Sequence, residues 1–304
     1  MSASKDSILV IGAGRAGTSV AVAWSRAGRD VTLVCRNDAR RRQVLAWLKA
    51  EQLALPVVQH PTPEQLLRAG ILVFAVPDRL LAQAAADWPH AGAGQTWLHL
   101  SGASQPEILL GPHVLAAVGS LHPLCALPEP LRQPASLAGR PLQGALMALA
   151  GAPPVLALCQ QLAQALGGVP VQVAAEHRVL YHAAAAVVAN DLAALVASGE
   201  TLCAAAGLPP DVARRGLLHL ARTSLDALAA VPAQQALVRG LTGAVARGDA
   251  VTLSRHLQVL APWPDVAQLH RDLSLRLVAL LEEAAALDAS QIAELRAVLD
   301  PAQP

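Results

Sequence analysis

The stretch Ser7-Ile8-Leu9-Val10-Ile11-Gly12-Ala13-Gly14-Arg15-Ala16-Gly17 carries four large apolar residues straight into a Gly-x-Gly-x-x-Gly triplet. The apolar run reads as a buried strand, and the triplet as the turn from that strand into a helix. The first glycine permits the tight turn, the second lets a pyrophosphate approach the backbone, and the third lets the helix pack on the strand. Downstream, Ala16 to Ala27 is amphipathic, Gly28-Arg29-Asp30 makes a turn, and Val31 to Val34 is a second strand. That completes a βαβ unit in about 30 residues. Gly12, Ala13, Gly14, Arg15, Ala16 and Gly17 are therefore the expected dinucleotide loop.

In the commonest form of this unit, an acidic side chain about 20 residues on receives the ribose 2′-hydroxyl. Here Arg36 stands at the end of the second strand. A guanidinium suits a 2′-phosphate, so NADP is the expected cofactor. The competing reading leaves Arg36 solvated and gives the ribose to Asp38, which would favour NAD. Arg40, Arg41 and Arg42 either add positive potential or form a solvated helix face.

The chain has 304 residues, 54% of them hydrophobic, enough for one large or two ordinary domains with extensive cores. A net charge of +1 argues against a nucleic-acid partner. No uninterrupted run of 18 apolar residues occurs, and MSASKDS lacks the layout of a signal peptide, so a soluble cytoplasmic protein with no membrane partner is expected. The four cysteines, Cys35, Cys125, Cys159 and Cys203, are too scattered for a disulfide framework or a metal site. The only lysines are Lys5 and Lys49, which leaves none in the second half to transfer a proton or form a Schiff base.

Up to about Ala174, short apolar runs alternate with helical segments. The runs are Ile71 to Val76, Thr96 to Leu100, Val114 to Val118, Gln143 to Leu149 and Val169 to Val173, with a helix over Val155 to Leu166. This rhythm predicts an α/β fold with a doubly wound, mostly parallel sheet, in which ligands gather beyond the carboxyl ends of the strands. Val76, Pro77 and Ser101 fall there and join the expected cofactor residues; His122 falls there too. From Glu176 onward, helices are expected at Glu176 to Ala206, Asp211 to Ala230, Ala233 to Arg239, Ala250 to Leu260, Asp265 to Leu287 and Ser290 to Leu299. Asp288 and Gln291 can form a capping box, and Asp249 can cap the helix after it. Residues 1–174 thus read as a nucleotide-binding domain and residues 175–304 as an all-helical domain. Its apolar helices need to bury more than one face, as a subunit interface would allow.

Hydride transfer needs a nicotinamide near the substrate carbon, a proton donor, and an anchor for the polar tail of a small-molecule substrate. The segment EHRVLYHAAAAVVANDL is the densest source. Arg178 and His182 lie four residues apart on one helix face, Asn190 follows two turns later, and Ala183 to Ala186 offer a floor for a flat ring. His182 is the expected acid, Asn190 orients the substrate, and Arg178 binds it; otherwise these residues simply bond neighbouring loops. Tyr181 projects about 100° away from His182 and reads as a packed aromatic with a satisfied hydroxyl. His122 can bind a carboxylate or carbonyl oxygen. Ser101 can bond substrate or nicotinamide, with Gly102 allowing close approach. Arg247 can clamp a carboxylate with its forked donors.

Together, IGAGRAG, AVPD, HLSGA, LHPL, LYHAAAAVVAND and LTGAVARGD resemble a family of Rossmann-like oxidoreductases whose C-terminal half is a domain of unknown function. The resemblance runs from about Ile8 to Leu260. The family is similar in plan to pyrroline-5-carboxylate reductase, 6-phosphogluconate dehydrogenase, prephenate dehydrogenase and ketopantoate reductase. It implies a second domain like the C-terminal one of 6-phosphogluconate dehydrogenase, a homodimer, and an active site between the domains often completed by the partner chain. Departures are Arg178 near the place of a family lysine, Cys125 where glutamine follows His-Pro-Leu, and Ala244 where proline follows Thr-Gly. The lysine that protonates substrate in ketopantoate reductases has no counterpart. The leading expectation is NADP-dependent reduction of a small 2-oxo acid of ketopantoate type. The alternatives are reduction of a cyclic imine, and a sensor or scaffold that binds NADP without turnover.

Overall fold

The computed structural model describes residues 7–88, 94–111, 116–232 and 235–300. The expected strand starting at Val114 and helix starting at Ala233 both begin outside the described residues, as does Lys5. The chain divides into two compact units, Met1–Asn190 and Asp191–Pro304.

The first unit runs β1 (Ser7–Ile11), α1 (Arg15–Arg26), β2 (Val31–Val34), α2 (Asp38–Ala50), β3 (Val57–Val58), α3 (Pro63–Arg68), β4 (Ala69–Phe74), α4 (Leu81–Ala86), β5 (Thr96–His99), β6 (Ala117–Pro123), β7 (Leu146–Gly151), α5 (Pro153–Ala165) and β8 (Val169–Gln172), then enters α6 (Arg178–Ala205). One eight-stranded sheet has the order β3-β2-β1-β4-β5-β6-β7-β8. Every ladder is parallel except β6 with β7, as the doubly wound expectation requires. The strands are apolar on both faces because helices cover both. Val10, Leu33, Val73 and Leu98 fill one face with α1, α2 and α5, while Leu9, Val34, Leu72, Phe74 and Trp97 fill the other with α4. The indole of Trp24 on α1 donates to Leu162 O on α5 at 3.0 Å, so the two helices are tied across the first face.

The order reverses at β1, which pairs with β2 on one side and β4 on the other, and this opens the crevice where such sheets receive ligands. Two departures from the expected strands matter. β6 extends through His122 and Pro123, because the antiparallel ladder to β7 (His122 with Ala148, Pro123 with Met147) continues past the parallel one. β3 has only two residues, too few to give a periodic signal.

The second unit holds the rest of α6, then α7 (Pro210–Ala229), a π turn at Ala236–Gly240, α8 (Ala250–Val259), α9 (Pro264–Glu283) and α10 (Ala289–Leu299). No strand occurs among its described residues. Its core joins Val245, Leu253, Leu257, Val278, Leu281, Ile292, Leu295 and Leu299. Asp249 accepts from Thr252 N at 2.9 Å as the N-cap of α8, and Asp288 with Gln291 forms the expected capping box on α10. α9 ends at Glu283 rather than Leu287, because Ala285 turns to a φ of +50°. Ala175–Ala205, with a mean hydropathy of 1.6 over its most apolar window, is long and apolar enough by composition to cross a membrane. Val187 and Val188 on it are 61% and 67% exposed.

Candidate functional site

The three loop glycines are used in three ways. Gly12 has a φ of +113°, and a Cβ there would meet Ala75 O at 2.5 Å, so the turn out of β1 closes against the end of β4. A Cβ on Gly17 would lie 1.9 Å from Gly12 O, so α1 seats directly on that turn. Gly14 faces open space and is the N-cap of α1 with no side-chain cap. The first N–H groups of α1 are therefore left for an anion, which the helix dipole favours. Beside the loop lies a cavity of about 390 Å³ lined by Ile11 to Gly14, Val34 to Asn37, Arg40 and Val76. Exposed Pro77 follows Val76 and caps a short turn at Asp78–Leu80.

Two guanidiniums reach this cavity. Arg36 pairs with Asp87 at 2.5 Å and is 45% exposed. That contact holds the Asp87 carboxyl below the usual range. Arg40 donates from Nε to Ala13 O at 2.9 Å and pairs through Nη2 with Glu129 at 2.8 Å. Arg41 and Arg42 pair with Asp38 on their own helix, so that carboxylate is engaged elsewhere than at a ribose.

Two strands further along the same edge, the loop after β5 is fastened at each polar atom. Ser101 Oγ donates to Asp78 Oδ2 at 2.6 Å and accepts from Ala103 N and Ser104 N. Ser101 N donates to His99 Nδ1 at 3.1 Å, which leaves the proton of that imidazole on Nε2, facing Gln105 O at 3.2 Å. Burial pushes His99 down to about 4. Arg178 is wholly buried; its Nη2 donates to Ser101 O at 2.7 Å and its Nε to Ser104 O at 2.9 Å. Arg178 Nη1 has no partner among the described residues.

These bonds correct two expectations. The hydroxyl, N–H and carbonyl of Ser101 are already committed, and its residue is only 6% exposed, so Ser101 shapes the loop rather than holding a ligand through its side chain. Arg178 is not presented to a substrate: it is wholly buried, and its Nε and Nη2 fork is held by the carbonyls of Ser104 and Ser101.

The imidazoles meet above Gly102. His122 Nδ1 lies 2.8 Å from Tyr181 Oη, and its ring is 5.8 Å from that of His182, edge to face. A Cβ on Gly102 would meet His182 Nδ1 at 2.7 Å and His122 Nε2 at 3.0 Å. His122 is half-buried and His182 exposed. Burial, with smaller contributions from His182 and Arg178, pushes His122 down to about 4, and burial pushes Tyr181 up to about 12. At neutral pH the cluster thus offers a neutral imidazole, a phenol and an exposed imidazole, three groups able to bond or protonate a heteroatom. No set of three metal-ligating side chains occurs among the described residues.

Comparison with known families follows this division of labour. Residues 1–127 match a Rossmann-like domain, and residues 145–277 match a domain of unknown function, DUF2520. The chain joins a Rossmann-like domain to a DUF2520 domain. Among solved structures, a Bacteroides fragilis protein assigned as an NADP oxidoreductase is similar at 20% identity and a TM-score of 0.67, over 90% of this chain and 99% of its own. A ketol-acid reductoisomerase from an uncultured archaean, described as NADH-preferring, is similar at 16% identity and a TM-score of 0.59, over 90% and 82%. Plasmodium falciparum pyrroline carboxylate reductase, with NADP bound, is similar at 11% identity and a TM-score of 0.58, over 95% and 98%. At these identities the likeness is one of fold. No curated protein matches the sequence.

Two further expected residues, Asn190 and Arg247, lie within the DUF2520 match. Asn190 is exposed on α6, eight residues beyond His182 and so about 12 Å along the axis. Arg247 is exposed at the end of the Val245–Arg247 turn. Asp78, which directly follows Pro77 in AVPD, is the site residue whose part was not foreseen. Arg40 takes the first of its two expected roles, adding positive potential at the cavity, and Tyr181 is the expected aromatic with a satisfied hydroxyl, but its partner His122, 59 residues away, could not be read from spacing.

Proposed function

We propose that this chain is an NADP-dependent oxidoreductase that reduces a small 2-oxo acid, with His182 supplying the proton and His122 bonding the carbonyl oxygen. One observation carries the reading: the glycine cradle after β1 and the imidazole pair beside β5 and β6 occupy the same edge of one sheet. From β1 to β6 is three strand spacings, about 14 Å, a span that an extended dinucleotide crosses. A pyrophosphate on α1 would direct the nicotinamide along that edge toward the two imidazoles, which the absence of a side chain on Gly102 lets pack against the β5 loop.

The preference for NADP rests on Arg36 and Arg40, since the similar folds include both an NADP-bound reductase and an NADH-preferring enzyme. When bound, that cofactor supplies the hydride. This chain's residues cradle its phosphates, hold the substrate heteroatom and deliver a proton. Reduction of a cyclic imine is the second reading, favoured by the low proton affinity of His122: an imine nitrogen that arrives protonated needs no acid.

The exposed apolar face of α6 supports a homodimer. In a bilayer Asn190 and Asp191 would sit in the middle of the span, a costly place for them, and Arg178 is already tied to the loop after β5. Four free thiols suit a reducing cytoplasm.

NADPH oxidation across a panel of 2-oxo acids and cyclic imines tests the reading. Turnover of an oxo acid that His182→Ala lowers by roughly a hundredfold with NADPH affinity retained is the expected result. Turnover of imines alone, unaffected by that change, would install the second reading. Tight NADPH binding without any turnover would make the protein a sensor or scaffold.

A further inference from the structure

We propose that Tyr181 is a positioning residue that locks His122 in the Nε2-protonated tautomer, so that His122 presents a fixed neutral N–H beside His182 and selects a carbonyl rather than an iminium substrate. The inference rests on the reading of this cluster as the place of reduction, but the lock itself is a property of the free protein.

The 2.8 Å contact between Tyr181 Oη and His122 Nδ1 sets the direction of the bond. A phenol is a better donor than an imidazole N–H, and an unprotonated imidazole nitrogen is a better acceptor than a phenol oxygen. Tyr181 therefore donates, and the proton of His122 sits on Nε2. The reverse assignment would leave the hydrogen of a half-buried phenol without an acceptor, since Tyr181 Oη has no other hydrogen bond among the described residues.

Burial first, and then the neighbouring groups, keep His122 neutral. His182 and Arg178 face it with positive or potentially positive charge, while Asp78 opposes them from a distance; Cys125 lies near Tyr181. Arg178 cannot move away, because its guanidinium is held by Ser101 O and Ser104 O. Gly102 completes the arrangement: His122 Nε2 and His182 Nδ1 lie within 3.0 Å of the position a Cβ would take, so any side chain there would push both rings aside.

The tautomer decides what can bind. A neutral Nε2–H needs an acceptor lone pair, which a carbonyl oxygen has and a protonated imine nitrogen lacks. His122 then steadies the oxygen while His182, open to solvent, delivers the proton and is recharged. The hydride goes to the carbonyl carbon and the proton to its oxygen, giving an alcohol and oxidised cofactor.

Nitrogen-15 imidazole spectra of the whole protein, with His122 identified by His122→Gln, test the lock without any substrate. Wild-type His122 should show a protonated Nε2 and an unprotonated Nδ1, unchanged from pH 8 to about 5. Tyr181→Phe keeps the ring and should give a mixture of tautomers, and should lower carbonyl turnover roughly three- to tenfold. His182→Gln should leave the His122 tautomer as it is. A protonated Nδ1 in the wild type, or an unchanged tautomer in Tyr181→Phe, would overturn the proposal. A confirmed lock in a protein that turns over no carbonyl would instead count against the proposed reaction.

Discussion

Removing the Arg36 guanidinium separates the two nicotinamide cofactors in a way that can be worked from its surroundings. Arg36 lines the cavity beside the glycine loop but is not idle, since it holds Asp87 at 2.5 Å. A charge-assisted bond to a 2′-phosphate is worth roughly 1.5–3 kcal/mol. To make it, Arg36 gives up an exposed ion pair worth about 0–1 kcal/mol. The net gain from NADPH is then about 0.5–3 kcal/mol, or roughly 2- to 150-fold in affinity. Arg36→Ala should weaken NADPH by that factor and leave NADH within about twofold. Fluorescence titration of both reduced cofactors at fixed ionic strength measures this. Asp87→Asn frees the guanidinium and should tighten NADPH by up to about fivefold. Equal losses for both cofactors in Arg36→Ala would refute the phosphate role and leave Arg40 as the one guanidinium of the cavity to carry it.

Arg178→Met removes the fork from two buried carbonyls while keeping the volume, and should cost roughly 2–4 kcal/mol in urea unfolding; a variant as stable as the parent would show the buried cation to be a net burden. Acid should destabilise the first unit in a defined window. His99 and His122 bind protons less readily in the fold, at about 4, than their ordinary 6.5. Their contribution is full above pH 6.5 and is lost as pH falls toward 4, on the order of 3 kcal/mol each; thermal melts that do not shift across that window would contradict it. Light scattering at micromolar concentration should report a dimer of the 31.4 kDa chain, and a monomer would leave the exposed face of α6 to another partner.

The first βαβ unit was legible because its information is local. Gly12, Gly14 and Gly17 specify a turn, an opening and a packing contact within six residues, and Arg36 follows at a fixed distance. Helix ends carrying their own chemistry, such as Asp249 and the Asp288–Gln291 box, were equally readable. What escaped depends on contacts between distant segments. Tyr181 points away from His182 on a helical wheel, yet both reach His122, because β6 brings that imidazole alongside the start of α6. Arg178, four residues from His182, could anchor a substrate or bond a neighbouring loop, and spacing alone did not choose between them. The residue is buried because two carbonyls of the β5 loop face it, and backbone acceptors leave no trace in side-chain spacing. β7 could not be told from a parallel strand, since direction is set by the turns before it and not by its own residues.

Arg40 bears on timing as well as on charge. By grasping Ala13 O and Glu129 together, it joins the middle of the glycine loop to a segment 89 residues beyond Arg40 itself. The loop is thus held in its receiving shape before any nucleotide arrives, and the conformational entropy of that segment is lost during folding rather than at binding. A cofactor meeting such a cradle has no loop closure to wait for. Its capture rate is set by diffusion and charge, so a substitution at Arg40 would slow association even where no atom of that side chain touches the nucleotide.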